Sequence, residues 1–449
     1  MNIIRIKKGL NVPLKGEPDL VIEQKEAPAY LSINPTGFEG MQPKLLVKQG
    51  DKVLAGTALF FDKRDERIVI PSPVSGEIAE IIRGEKRVLL EVRIKNDNAY
   101  NTISFPEITT PPTNREGILN LLVKSGLWSF FKQRPYDIIP SPDAAIRDIF
   151  ISSFDSAPLA PDFGFILKDQ GSHLQAGIDA LSKLTDGKVY LGLNAAGRHN
   201  EVFEKLNKVE KHYFSGPHPA GNVGVQIHHI KPINKGEVIV TLNIQDLAMI
   251  GKLMTERKID ASRTIAVTGP EIQNPHYIKT IIGSDPHDFI SLKDNKKAVR
   301  IISGNVLTGD TIEAGGCLGY YHHQLTVIPE GKYNEFIGWA LPGSKKFSNT
   351  RLFLSKIFPP KQFQLDTNFH GSVRALVVTG QYEKVFPFDI LPVYLIKAIL
   401  TGDIDKMEEL GIYEVVPEDF ALCDVVCTSK LETQEIVRQG LELIRKEMS

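Results

Sequence analysis

YFSGPHPAGNVGVQIHHI, Tyr213 to Ile230, decides how the middle of this chain is read. With His212 in front of it, the stretch holds four of the eleven histidines of the protein. Glycines and prolines break its first half, and an apolar run fills the second. Three readings compete: a metal site, a phosphate loop, or a rigid turn leading into a regular element. Metal ligands need fixed geometry, commonly histidines four apart on a helix or alternating on a strand. His228 and His229 are adjacent and would point to opposite faces of a strand. No cysteine is near, and no H-E-x-x-H occurs. As a phosphate loop, GPHPAGNVG lacks the P-loop lysine and the G-x-G-x-x-G spacing. The third reading fits best: a rigid loop, carrying His218, that feeds a strand over Val223–Ile230 and lines a cofactor-type cleft.

Outward from this stretch, the chain alternates helix and strand. AIRDIFISSF and KVYLGLN are short apolar strands flanking a helical LQAGIDALSKL, which predicts an α/β layer with a parallel sheet. NREGILNLLVKSGLWSFF (Asn114–Phe131) has helical spacing, with Asn114 placed to cap it. Towards the N-terminus, LVKQGDKVLAG and SPVSGEIAEI read as small antiparallel strands turned at Gly50-Asp51 and Ser75-Gly76. After the α/β unit, RTIAVTGPEIQNPHYIKTII gives strand, turn and strand, and RIISGNVLTGD and HHQLTVIPEG supply two more. The last seventy residues show 3.6-residue periodicity. The expected architecture is multidomain α/β. A barrel-sandwich domain spans 1–105 and a Rossmann-like α/β domain 106–255. A β-grasp-like domain covers 256–335, a basic and aromatic linker 336–375, and a helical domain 376–449.

At 449 residues the chain is too long for one core. Its net charge of −1 argues against a dedicated nucleic-acid binder. No apolar run approaches 18 residues, so no membrane-spanning helix is expected, and the first residues carry no export signal. Three cysteines cannot form a disulfide framework in a chain of this size, which fits a reducing compartment.

The order of these motifs carries a resemblance. A carrier-like domain, SGLWSFFKQRPYD, IFISSFDSAPLAPDF, FSGPHPAGNVG, RIISGNVLTG, FIGWALPGSKKFS and LCDVVC together resemble the NqrA subunit of the sodium-translocating NADH:quinone oxidoreductases. That family is similar in turn to the core subunit of the Rnf complex and to the NADH-oxidising flavoprotein subunit of complex I. The flavin-binding relatives have a glycine-rich run where this chain has VKSGLWSFFKQRP, with Gly126 alone beside Trp128, Phe130 and Phe131. Glycines there let backbone amides approach a phosphate, which bulky side chains prevent. Around ALCDVVCTSK, Cys423 and Cys427 stand where the Rnf relatives carry a four-cysteine run. Two thiolates do not satisfy an iron–sulfur cluster, and the local reading is a helix turn with two buried cysteines.

The resemblance implies a peripheral subunit on the cytoplasmic face of the inner membrane, bound to other subunits and especially to membrane ones. The complex would reduce ubiquinone or menaquinone with NADH and export sodium. FAD, FMN, iron–sulfur centres and NADH would belong to those other subunits, with no cofactor on this chain beyond contact with a quinone. Candidate quinone or partner contacts are Trp339, Lys345, Lys346, Phe347, Arg351 and His218. The local alternative for the first five is a surface loop followed by an amphipathic helix, and aromatics among cations also suit an anionic lipid surface. Two other functions compete: a stand-alone flavin- or nucleotide-dependent oxidoreductase, and a lipoyl or biotinyl carrier modified at Lys63. For Lys63 the charged DKRDER tip favours an unmodified, solvated hairpin.

Overall fold

The computed structural model describes residues 2–105, 110, 112–197, 199–313, 315–333, 342–350, 352–358 and 360–448. Two small antiparallel sheets form the barrel-sandwich. One orders Tyr30–Ile33, Leu89–Asn96, Gly76–Arg83 and Lys52–Val53; the other orders Pro43–Leu45, Ala58–Asp62 and Asp65–Pro71. Leu59, Phe60, Ile70, Ile78, Val92 and Ile94 are buried between them. The Gly50-Asp51 turn forms as expected. Gly50 sits at φ 88°, where a side chain is disfavoured, and the Asp51 carboxylate accepts from the Lys48 amide at 2.7 Å. Lys63 and Arg64 form the exposed tip between Ala58–Asp62 and Asp65–Pro71. Below the tip, Arg67 bridges Asp65 and Asp143, tying this hairpin to the next domain.

The α/β sheet runs in the order Ile3–Arg5, Glu210–Ser215, Val189–Asn194, Ile146–Ser152, Val238–Asn243, Lys132–Arg134. Neighbours pair in parallel except the last strand, which is antiparallel. Helices Gly171–Leu181 and Ile244–Glu256 pack against each other, Gly177 facing the Leu247 carbonyl where a Cβ would come within 2.6 Å. Helix Arg115–Lys124 starts where expected, the Asn114 side chain accepting from the Gly117 amide.

Two expectations change. VGVQIHHI is not a strand but a helix, Val223–Ile230, lying over strand Ile146–Ser152. Short apolar runs satisfy both periodicities. Here the helix wins because Gln226 reaches back to Ser152 Oγ (2.9 Å) and nestles against Gly192, where a Cβ would come within 1.9 Å of the Gln226 amide oxygen. The N-terminus also does not stay in the first unit. Ile3–Arg5 adds an edge to the α/β sheet, and Asp19–Gln24 pairs with His276–Ile281 of the third sheet. The opening segment thus laces three units together, and the strands of the two small sheets run from Tyr30 onward.

The third sheet orders Asp310–Ile312, Val299–Ser303, Gln324–Pro329, Ser262–Thr268, His276–Ile281 and Asp19–Gln24. The C-terminal helices include Pro392–Thr401, Ile404–Glu409, Ala421–Val426 and Thr433–Glu447. Gly402, left-handed at φ 69°, ends the first, and the Asp403 side chain caps the second. Their core contains Leu395, Phe420, Leu441 and Ile444, and both Cys423 and Cys427 are buried there. Over the described part of 342–358 the backbone is irregular, with one short turn at Leu354–Lys356 in place of the expected amphipathic helix.

Candidate functional site

In a doubly wound sheet, ligands bind at the carboxyl ends of the strands where the winding reverses. That point here lies between Ile146–Ser152 and Val238–Asn243. A cleft of about 460 Å³ opens there, closed by the third sheet's loops on one side and by the C-terminal helices on another.

Its floor is the turn after strand Ile146–Ser152. Asp155 Oδ1 accepts from the Ala157 amide at 2.8 Å, and burial pushes the Asp155 carboxyl above the usual range. Ser156 Oγ accepts from the Gly221 amide (2.8 Å) and lies 3.1 Å from His218 Nδ1. The His218 amide donates to Asn11 Oδ1. Burial pushes the His218 imidazole down to about 4, so it is neutral at pH 7. This answers what the glycine- and proline-rich stretch is for: it sets a neutral histidine into the cleft wall and then starts a helix.

A second wall comes from Tyr320–Gln324. The buried pair Arg263–Asp246 (2.5 Å) anchors it, with Arg263 also donating to the Tyr320 carbonyl. His323 Nδ1 lies 3.2 Å from Gln245 Nε2. His323 Nε2 has no hydrogen-bond partner, the nearest carboxylate oxygen, of Asp246, being 3.9 Å away. Burial, and then the Arg263 charge, hold His323 well below the normal imidazole range. Gln324 Nε2 donates to the Pro158 carbonyl (3.0 Å), while Gln324 Oε1 is unpartnered. His322 Nδ1 lies 2.7 Å from Ser303 Oγ.

The third wall is an ionic seam to the helical domain. Arg134, 2% exposed, donates to Asp419 (2.8 Å) and Glu418 (2.5 Å). Removal from water works against the Arg134 charge, but the two carboxylates more than offset it. Glu418 lines the cleft with its side chain 40% exposed. Desolvation, only partly countered by Arg134, pushes it up to about 7. Arg438 completes the seam through the Tyr136 carbonyl (2.8 Å) and Asp137 (3.1 Å).

An aromatic cluster adjoins the cleft through Phe130. Gly126, at φ 74°, ends the preceding helix so that Trp128 and Phe131 turn inward and stack at 4.7 Å. Trp128 Nε1 donates to the Pro140 carbonyl, and Phe130 stacks on Tyr320 at 4.8 Å. Of this run only Phe130 lines the cleft.

Of the residues singled out by sequence, His218 lines the cleft; Lys345, Lys346 and Phe347 do not. They belong to the surface segment, Phe347 packing edge-on against Phe363 at 5.4 Å and Lys346 lying over Phe353. Trp339 and Arg351 lie outside the described residues. His228 and His229, on one helical turn, are spoken for by Glu414 and the Val225 carbonyl. Among the described residues no group of three His, Cys, Asp or Glu is placed to hold a metal ion. Sequence reasoning missed Arg134, Asp246, Arg263, His323 and Glu418. The one signal available was charged residues inside apolar runs, as in QDLAMIG.

A switch-point cleft between a barrel-sandwich, an α/β sheet, a third mixed sheet and a helical cap defines a multidomain α/β protein. Family models match three of these four units. Residues 4–97 match the NqrA N-terminal barrel-sandwich hybrid domain, 113–259 the NqrA second alpha/beta domain, and 264–314 the NQRA C-terminal domain. The chain is 37% identical to the NqrA subunit of the Na(+)-translocating NADH-quinone reductase of Vibrio atlanticus (strain LGP32), over 99% of this chain and 100% of that protein. It is 38% identical to that of Yersinia pestis and 37% to that of Neisseria meningitidis serogroup C, with the same coverage. The chain belongs to the NqrA family, that of the Na(+)-translocating NADH-quinone reductases. A crystal structure of an NAD+-reducing [NiFe]-hydrogenase aligns only loosely, with a TM-score of 0.37 and 11% identity over 76% of this chain and 65% of that one. Among the described residues no helix is long and apolar enough to cross a membrane.

Proposed function

We propose that this chain is the peripheral subunit of a sodium-translocating NADH:quinone oxidoreductase, docked on membrane subunits at the cytoplasmic face, and that its switch-point cleft takes a quinone headgroup in the quinone-reducing step. It uses no flavin, iron–sulfur cluster or NADH of its own; those belong to its partner subunits. Membership of the NqrA family supports the assembly. The packed Trp128–Phe131 wall supports the absence of a flavin, because those rings fill the loop where a phosphate-cradling backbone would need glycines.

One observation carries the quinone reading. His323 and Gln324 line the cleft together with Phe130 and Phe163, and each holds one buried side-chain atom, Nε2 and Oε1, without a hydrogen-bond partner. Buried polar atoms are normally paired, and a mostly apolar ring bearing two oxygens suits such a place. With Nδ1 accepting from the Gln245 amide group, the neutral His323 carries its proton on Nε2, which would donate to a quinone oxygen. Glu418, titrating near neutrality, would hold a proton at the cleft rim.

Two measurements test this. The tagged chain, purified gently from its native membranes, should bring flavin-containing membrane subunits with sodium-stimulated NADH:quinone activity; a chain that emerges alone with its own chromophore would overturn the subunit reading. A short-chain ubiquinone analogue should quench tryptophan fluorescence, and His323→Phe should weaken that binding about tenfold, the scale of one lost buried hydrogen bond. Unchanged affinity in that variant would move the quinone elsewhere.

A further inference from the structure

Away from the cleft, the segment following the third sheet has a composition unlike the rest of the molecule. Between Glu335 and Asp366 there are five cations, Lys345, Lys346, Arg351, Lys356 and Lys361, and no carboxylate, in a chain whose net charge is −1. Its described part is also unusually apolar on the outside. Leu352 is 61% exposed, Ile357 63% and Phe358 78%, with Leu354 exposed beside them. Solitary exposed apolar residues are ordinary, whereas a cluster of large ones within seven residues marks a contact surface.

The segment is rooted, not loose. Phe347 packs against Phe363, the Leu354 amide donates to the Pro342 carbonyl, and Ser355 is buried. Phe363 bridges to Leu14, and the Lys15 amide donates to its carbonyl, which brings the exposed Lys15 alongside from a distant part of the chain. The turn Leu354–Lys356 leaves Leu352, Leu354, Ile357 and Phe358 open to solvent, with Lys345, Lys356 and Lys361 exposed around them.

We infer that segment 342–361 is a membrane-contact surface that takes the interface of an anionic phospholipid bilayer. Charge complementarity selects this occupant. Lysine is depleted from the centres of protein–protein interfaces, but at a bilayer its aliphatic stem lies along the acyl boundary while the ammonium stays among phosphates. Lysines and arginines close to an anionic leaflet are attracted to its surface, and this segment carries five with no intervening acid. Phe358, Ile357 and Leu354 supply the shallow apolar insertion that electrostatics alone lacks. The contact would orient a subunit that has no spanning helix among its described residues. It goes beyond the quinone reading and does not depend on it.

Flotation of the purified full chain with vesicles tests it. Binding should be weak to phosphatidylcholine alone, strong when phosphatidylglycerol is included, and should fall as salt is added. Replacing Lys345, Lys346, Lys356 and Lys361 together by Gln should lower binding at least about tenfold. Ile357→Ser with Phe358→Ser should weaken binding while preserving its salt dependence. All six positions lie on the surface segment, and quinone-analogue binding at the cleft reports that each variant is folded and that the two readings fail separately. Equal binding to both vesicle types would overturn the inference. So would a Phe358→Cys chain that maleimide labels alone but not in the lipid-depleted assembled complex, because a partner subunit would then cover the patch.

Discussion

Two regions at the cleft are built on opposite principles. The Trp128–Phe131 wall is closed: both rings are buried and stacked, and the single polar atom of Trp128 is paired with the Pro140 carbonyl. The wall that carries His323 and Gln324 is equally buried, but one polar side-chain atom of each residue is left unpaired. The first is a place where stability has been completed; on the proposed quinone reading, the second is where a ligand would complete it.

The largest effect should come from the closed wall. Trp128→Ala removes a packed ring and its hydrogen bond, and should destabilise the fold by about 3–5 kcal/mol, read in chemical denaturation. If the loss is below about 1 kcal/mol, the wall is not a sealed core.

The next effect is pH-dependent and belongs to the parts of the cleft between them. His218 titrates at about 4 when folded, below the ~6.5 of a free imidazole. The unfolded chain therefore binds the proton first as pH falls. The stability that His218 contributes is complete above about pH 6.5 and is lost towards pH 4, by up to about 3 kcal/mol. Glu418 has the opposite sign. Raised from 4.5 to about 7, it contributes stability that is complete below about pH 4.5 and lost as pH rises to about 7. Unfolding measured across this range should show a weaker acid-side loss for His218→Gln than for the natural chain. An identical slope would mean that His218 is not held neutral by the cleft.

The smallest effect is expected at the open wall. His323→Phe gives up one bond to Gln245 and also removes an unpaired buried nitrogen, so stability should change by no more than about 1 kcal/mol. A loss as large as that of Trp128→Ala would erase the distinction between the walls.

Much of the scaffold was legible locally. Strand Ile146–Ser152, strand Val189–Asn194, the Asn114 cap, the Gly50 turn and the C-terminal helices each carry a signal within a few residues, because periodicity and capping are short-range physics. VGVQIHHI was not legible, since a short apolar run after a glycine-rich loop suits a strand as well as a helix. Its fate rests on Gly192 and Ser152, which lie far away along the chain and meet Gln226 only in the fold. Nor could the buried pairs Arg134–Asp419 and Arg263–Asp246 be foreseen, one spanning 285 residues and the other 17. Charges read as exposed until the fold supplies a partner that can hold them inside.

By itself, then, the sequence determined the family, the order of units and most regular elements, all of which depend on local pattern or on overall similarity to relatives. Only the tertiary structure decided that the first 24 residues lace three units together, that the helical domain closes the switch-point cleft, and that Lys345, Lys346 and Phe347 form a surface apart from it. Those facts depend on contacts between distant residues, whose free energy emerges only once the chain has brought them together.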